Sequence, residues 1–201
     1  MSFKTLLENV ELGYRVRIYH NWLRDTDGWM SNEAYRKLRK HLDTEVEFNA
    51  EIIRGIECLR KTASYGDRDL KYTYAGKRQV ALPWTDELRE VADKLNDPKI
   101  NFVLINRYPS GNAGIGWHAD DERDIALNST IYSLSIGDTR RFLLRDAKTG
   151  EQVLDVELPP GSLLSMEGST QQYLEHSVPR TTAKAHQNQV RYNLTFRSIV
   201  V

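Results

Sequence analysis

Cysteine is nearly missing from this chain of 201 residues: Cys58 stands alone. That excludes an intrachain disulfide and fits a reducing compartment. Long hydrophobic runs are missing as well. No apolar stretch approaches the ~20 residues of a membrane span. The opening Met1-Ser2-Phe3-Lys4-Thr5-Leu6-Leu7-Glu8 lacks the continuous apolar segment of a secretory leader, so an intracellular protein without a membrane anchor is expected. Net charge is missing too, because 28 basic and 28 acidic residues cancel, and the whole-chain balance advertises no polyanionic partner. There is no repeat, low-complexity tract or Pro/Ser-rich linker, so residues 1–201 are expected to form one domain. Hydrophobic content of 40% is that of an ordinary globular protein, and the length allows a real core.

What is present is unevenly placed. Residues 54–78 hold seven Lys/Arg against three Asp/Glu, and residues 177–197 hold four basic residues and no acidic one. Local excess can steer a polyanion even where the total is neutral, although a solvated face is the commoner meaning of such runs. A short strand is expected over 16–20, then a loop over 24–30. Ser31 is placed to cap a helix over 32–42, in which Ala34, Leu38 and Leu42 recur at fours. Another short strand is read over 46–48, and the stretch from there to about 79 has poor periodicity. Thr85 is placed to cap a second helix over 86–95, with acids in its first turn. From 101 onward short strands alternate with turns, over 102–108, 130–136, 141–145, 152–158, 162–166 and 190–199. Helices followed by many short strands predict an antiparallel sandwich or jelly roll, whose mouth is a usual ligand site.

The chemistry is carried by His118-Ala119-Asp120 and His176. His118 and Asp120 are two apart, so in an extended segment both side chains leave one face. With a third ligand from a distant strand they match the facial triad of a non-haem Fe(II) oxygenase, which leaves positions free for a co-substrate and oxygen. A His-x-Asp pair by itself is common by chance, and a histidine satisfied within the core is its usual meaning. The setting favours ligands: Gly114 and Gly116 precede His118, as a tight approach requires, and His176 follows a polar loop. His20, His41 and His186 lack such company and read as structural or solvent-facing. Zinc hydrolysis could use the same three ligands but would leave the downstream arginines without a role.

Those arginines lie in Arg191-Tyr192-Asn193-Leu194-Thr195-Phe196-Arg197, where alternation is strict. Arg191, Asn193, Thr195 and Arg197 share one face, and Tyr192, Leu194 and Phe196 the other. The bland reading is a polar-out strand over an apolar core. The sharper reading uses the spacing: the arginines stand roughly 20 Å apart, and forks leaning inward leave about 8 Å, near the length of a five-carbon diacid. One fork would clamp the far carboxylate while the other supports the end that meets the metal. Asn106 and Tyr108 share a face on 102–108, and Tyr108 adds a hydroxyl. The pattern fits 2-oxoglutarate.

With Asn106-Arg107-Tyr108-Pro109-x-Gly111, His118-x-Asp120-Asp121-Glu122, His176 and Arg191-x-Asn-Leu-Thr-Phe-Arg197 assembled, the chain resembles the AlkB family of Fe(II)/2-oxoglutarate dioxygenases, and within it the branch that repairs alkylated bases in duplex DNA. The likeness runs from about Arg60 to Ile199. It implies an α+β, mainly β, double-stranded β-helix (jelly-roll) core. Helices and a nucleotide-recognition lid would occupy about 1–100 and the catalytic core 101–201. It implies Fe(II) on His118, Asp120 and His176, with O₂ as a further co-substrate. The 2-oxoglutarate would be held by Asn106, Tyr108, Arg191, Thr195 and Arg197, with Asn193 nearby and Arg197 also counted among the catalytic residues. Tyr65-Gly66-Asp67 and Tyr72-Thr73-Tyr74-Ala75-Gly76 resemble the family's base-recognition segment. Stacking on a flipped base falls to Tyr74, a base or backbone contact to Tyr72, and the base pocket to Asp121 and Glu122, while Tyr65 reads as packing. Arg60, Lys61, Lys71, Lys77 and Arg78 between the aromatics suit a platform beside phosphates.

The implied reaction is oxidative demethylation of N-alkylated bases in DNA, with RNA as a second substrate, by a monomer that releases formaldehyde, succinate and CO₂. Duplex-acting relatives fill the gap left by a flipped base with a bulky residue. Here the corresponding stretch, Glu51-Ile52-Ile53-Arg54, has no aromatic, which leaves strandedness open. Two alternatives stand beside this reading. A noncatalytic reader of modified nucleic acid would not need the ligand set. A dioxygenase acting on a protein or small molecule would not need the tyrosine lid.

Overall fold

The computed structural model describes residues 3–23, 33–53, 55–74 and 77–200, and of Glu51, Ile53, Tyr74 and Lys77 the backbone alone. Its elements run β1 (Lys4–Asn9), β2 (Tyr14–Tyr19), α1 (Glu33–Thr44), β3 (Asn49–Ile53), β4 (Ile56–Gly66), β5 (Lys71–Tyr74), β6 (Lys77–Val80), β7 (Leu82–Pro83) and α2 (Asp86–Lys94). The second half continues with β8 (Phe102–Tyr108), β9 (Ile115–His118), β10 (Ile131–Gly137), β11 (Arg140–Asp146), β12 (Gln152–Leu158) and β13 (Leu163–Gly168). A single helical turn, α3 (Thr170–Tyr173), then leads into β14 (Leu174–Val178) and β15 (Arg191–Arg197).

Nine strands form one sheet, ordered β1-β2-β13-β10-β15-β8-β4-β3 with β7 beside β4, and four form a second, ordered β12-β11-β14-β9. Alternation decides what lies on each side. Tyr192, Leu194 and Phe196 of β15 join Val103, Ile105, Leu134 and Ile136 under the helices, against Leu38 and Leu42 of α1 and Leu88 and Val91 of α2. On the opposite side, Ile18, Tyr108, Ile131, Leu164 and Met166 of the large sheet meet Phe142, Leu144, Leu158, Leu174 and Val178 of the small one. Two antiparallel sheets packed over one core with helices outside make the expected jelly roll. Since both faces are covered, all seven residues of β15 are buried, and its polar row points into the sandwich rather than to water. The bland reading of that strand is therefore wrong.

Helix α2 starts as its sequence indicates: the Thr85 hydroxyl accepts from the Leu88 amide at 3.4 Å, with Asp86 and Glu87 in the first turn. Ser31 and the loop 24–30 lie outside the described residues. Two expectations need correction. Residues 46–48 form no strand, because the amides of Glu45 and Val46 both donate to the His41 carbonyl while Phe48 packs on Tyr192 at 5.6 Å. The poorly periodic stretch that follows is not irregular but contributes β3 to β6. β3 pairs with β4 through a register shift between Ala50 and Ile52, which breaks the alternation that would have revealed it. No helix among the described residues is long and apolar enough to cross a membrane.

Candidate metal and co-substrate site

The small sheet brings two histidines together by register. β14 pairs antiparallel with β9 so that His176 stands directly opposite His118, with ring centroids 4.1 Å apart. Asp120, two residues past His118, turns its Oδ1 to 3.8 Å from His118 Nε2 and 4.0 Å from His176 Nε2. One ligand atom from each of the three residues lies within 4.8 Å of the others. Gly114 makes this possible: a Cβ there would sit 2.7 Å from the Val178 carbonyl oxygen, so only glycine lets β9 close on the end of β14. Gly116 faces open space, so the crowding expected of it is not found.

Protonation is arranged to suit a cation. His118 Nδ1 lies 2.9 Å from the Gly116 carbonyl, which can only accept, so Nδ1 carries the proton and Nε2 keeps its lone pair. Burial, with the neighbouring His118, pushes the His176 pKa down to about 3, which leaves a neutral imidazole. Burial alone would raise the pKa of Asp120. The Arg197 guanidinium, 2.7 Å from Asp120 Oδ2, leads the opposing causes and holds the carboxyl below its ordinary value. Two imidazoles beside a carboxylate, on a rigid sheet edge, are a donor set fitted to a divalent transition metal.

A cavity between the sheets runs from this cluster along the polar row of β15, lined by Asn106, Tyr108, His118, Asp120, Glu122, His176, Asn193, Thr195 and Arg197. Arg197 stands at the metal end, between Asp120 and Glu122. Arg191 stands at the other end of the polar row, behind the cavity-lining Tyr108, 1% exposed and with its guanidinium 5.2 Å from the Tyr108 ring. Its Nη2 donates to Ser135 Oγ at 3.1 Å, while buried Nε and Nη1 have no hydrogen-bond partner. Burial lowers its pKa from the ordinary guanidinium value. Unmatched buried donors cost free energy until an acceptor arrives, and a carboxylate matches that fork. Asn193 Nδ2 donates to Ser133 Oγ at 2.7 Å, and the Thr195 hydroxyl is spent on the Leu104 carbonyl at 3.0 Å.

The lid residues are distributed otherwise than expected. Tyr72 alternates inward on β5, packs on Phe102 at 4.4 Å and donates its hydroxyl to Ser64 Oγ at 2.7 Å, so its ring belongs to the core. The side chain of Tyr74, with Ala75, Gly76 and Arg54, lies outside the described residues. Tyr65 is packed in the core as read. Glu122 reaches the cavity, where burial raises its pKa against the opposing pull of Arg197. Asp121 is exposed and lines a neighbouring pocket with Leu127 and Gln172 instead. His41 is buried against Thr85, and His186 pairs with Asp138 at 2.9 Å, both structural as read.

Four contributors escape the sequence. Arg60, grouped above with the phosphate-facing cations, is buried in β4, donates to Asn106 and lines the cavity. Its signal is there in retrospect, because Arg60, Thr62 and Ser64 alternate with Ala63 and Tyr65 once β4 is recognised as a strand. Gln171 accepts from the Asp120 amide at 2.8 Å and Phe142 stacks on His176 at 5.4 Å. Arg140 donates to the carbonyls of Ser110, Gly111, Ala113 and Pro179, fixing the loops that leave Tyr108 and His176.

Comparison with known proteins agrees with this geometry. The family described as the 2OG-Fe(II) oxygenase superfamily matches residues 15–197. The chain is 36% identical to bovine DNA oxidative demethylase ALKBH2 over 85% of its own length and 65% of that protein. It is 35% identical to the human ALKBH2 protein over 85% of this chain and 69% of the relative. Against human alkB homolog 3, an alpha-ketoglutarate-dependent dioxygenase, identity is 34% over 70% of this chain and 51% of the relative. The chain thus spans about half to two thirds of the length of these relatives. The solved structure of OsALKBH1 superposes with a TM-score of 0.63 over 91% of this chain and 96% of that one, at 17% identity, which speaks for the fold. A metal-fitted triad, a buried arginine fork behind it and a family match over nearly the whole chain agree: this protein belongs to the AlkB family of the 2OG-Fe(II) oxygenase superfamily.

Proposed function

We propose that this chain, as a single monomeric domain, oxidatively demethylates N-alkylated bases in DNA, consuming 2-oxoglutarate and O₂ and releasing formaldehyde, succinate and CO₂. The observation that carries the proposal is the pairing of the triad with Arg191, whose unmatched donors lie at the far end of the same polar row. Relatives named as DNA oxidative demethylases support the substrate class. His118, Asp120 and His176 would hold Fe(II), and Arg191 with Tyr108 the distal carboxylate of 2-oxoglutarate. When bound, iron would bring 2-oxoglutarate and O₂ together, with O₂ as the oxidant and both 2-oxoglutarate and an N-methyl C–H bond giving up two electrons each.

The chain's own part is positioning. Arg197 keeps Asp120 ionised and aimed at the two imidazoles. Arg60 and Asn106 close one wall of the cavity, and Phe142 holds His176 in place while excluding water. A paired base would have to leave the stack to reach this cavity, at a cost of a few kcal/mol that is smallest at a lesion with weakened pairing.

The experiment is incubation of iron-loaded protein with 2-oxoglutarate and methylated single-stranded DNA, duplex DNA or RNA oligonucleotides, with products weighed by mass spectrometry. Loss of the methyl mass with stoichiometric formaldehyde is expected, and the most reactive oligonucleotide names the strandedness. His118→Ala, Asp120→Ala and His176→Ala should each abolish turnover and iron retention while the circular dichroism stays native. Normal activity and iron content in any one of them would remove that residue from the ligand set.

A further inference from the structure

The lid hairpin β5–β6 belongs to neither main sheet, and an isolated two-stranded ribbon is marginal in water. What seats it is therefore informative. In an antiparallel pair, alternate residues turn their amides away from the partner strand. Thr73, between Tyr72 and Tyr74, does so: its N–H donates to Asp124 Oδ2 at 2.7 Å. Asp124 sits four residues past Asp120 and two past Glu122, on the turn that leaves the candidate metal cluster. That turn is itself fixed. The Val200 amide donates to the Asp124 carbonyl at 2.7 Å, the Ala126 amide to the Ser198 carbonyl at 2.8 Å, and Ile125 bridges to Ile199. Ile125 also packs against the small cluster that takes in Tyr72 and Phe102. The Asp124 side chain is thus a rigidly mounted acceptor, and the outer edge of the lid hangs on it by a charge-assisted hydrogen bond.

We propose that Asp124 is a positioning residue, whose carboxylate docks lid strand β5 onto the turn following Asp120 and so ties oligonucleotide engagement to 2-oxoglutarate turnover. The proposal rests on the function proposed above. An undocked lid would let co-substrate be consumed without a base in place, because among the described residues this hydrogen bond, beside the apolar packing of Ile125 on the cluster that includes Tyr72, joins β5 to the ligand-bearing turn. Removing the acceptor should therefore loosen the lid, weaken oligonucleotide use and raise the succinate formed per formaldehyde. It should leave iron content and the KM for 2-oxoglutarate alone. Asparagine keeps an acceptor oxygen at the same place and should restore the docking.

The test compares wild type, Asp124→Ala and Asp124→Asn in two assays. Hydrogen exchange followed by mass spectrometry over residues 71–74 should quicken about tenfold or more in Asp124→Ala, as loss of one charge-assisted hydrogen bond implies. Asp124→Asn should stay near wild type. With a methylated oligonucleotide, Asp124→Ala should show a raised oligonucleotide KM and several-fold more succinate per formaldehyde, both largely restored in Asp124→Asn. Unchanged exchange and coupling in Asp124→Ala would overturn the proposal, as would an asparagine variant as impaired as alanine. Thr73→Pro removes the donor while leaving Asp124 in place, and serves if Asp124→Ala does not fold; normal coupling there would equally overturn it. If wild type releases no formaldehyde from any methylated oligonucleotide, the function proposed above fails, and the exchange arm still decides whether Asp124 docks the lid.

Discussion

Arg191 holds a guanidinium away from water with two of its nitrogens unmatched, which a folded protein rarely tolerates without a ligand to meet them. Lysine at this position would keep the charge and lose the fork. The 2-oxoglutarate KM of Arg191→Lys is expected to rise by about 10- to 100-fold, the worth of one or two charge-assisted hydrogen bonds, while iron content stays constant. An unchanged KM would remove Arg191 from the co-substrate site. The two lid tyrosines separate at the same scale. Tyr72 spends its hydroxyl on Ser64, so Tyr72→Phe should cost about 1 kcal/mol of unfolding free energy and leave the oligonucleotide KM as it was. Tyr74→Ala should instead lose stacking worth about 1–3 kcal/mol, visible as a steep fall in oligonucleotide repair with intact 2-oxoglutarate binding. Normal repair by Tyr74→Ala would leave the lid without its aromatic role.

Elements were legible where period and burial agreed. β15 could be read because its apolar row faces the helices and its polar row faces the cavity, so alternation survived burial on both sides. The helix α2 could be read from Thr85 and its acids. β4 could not, because Arg60, Thr62 and Ser64 face the polar side and resemble a basic loop when the strand is unseen. The opposition of His118 and His176 was equally hidden: sequence offers the residue types, but cross-strand register comes only from the fold. The ties between elements also predict a pH response. The Tyr132 hydroxyl on β10 donates to Asp97 Oδ2 after α2 at 3.3 Å, and burial with the Asp97 charge raises its pKa to about 12. A folded value above the unfolded ~10 means a contribution that is full below that pH and lost as pH rises through the folded value. Urea midpoints should therefore fall between about pH 10 and about 12 in wild type and fall less in Tyr132→Phe. Parallel curves for the two proteins would show that Tyr132 carries none of the alkaline loss.

At the scale of the molecule, zero net charge conceals a local basic excess, seven Lys/Arg against three Asp/Glu over residues 54–78. If nucleic acid follows that stretch, Lys61→Gln and Lys71→Gln should each weaken oligonucleotide binding and reduce the salt slope by about 0.7–0.9. A slope identical to wild type would place the strand elsewhere. A different consequence follows from the way β9 is built. It is four residues long and forms the outer edge of the small sheet, joined to the molecule through β14 and, at one rung, by His176 facing His118. Exposed edges invite pairing with other chains, and an ion gripping both histidines would act there as a rivet. Ions of the right size should thus raise the melting temperature with concentration, and chelation should lower it and promote self-association. Equal melting temperatures with and without the ion would show that the edge needs no rivet. If the ion is such a rivet, losing it would open a seam as well as remove the proposed activity, and iron scarcity would thin the population of this protein rather than leave it waiting.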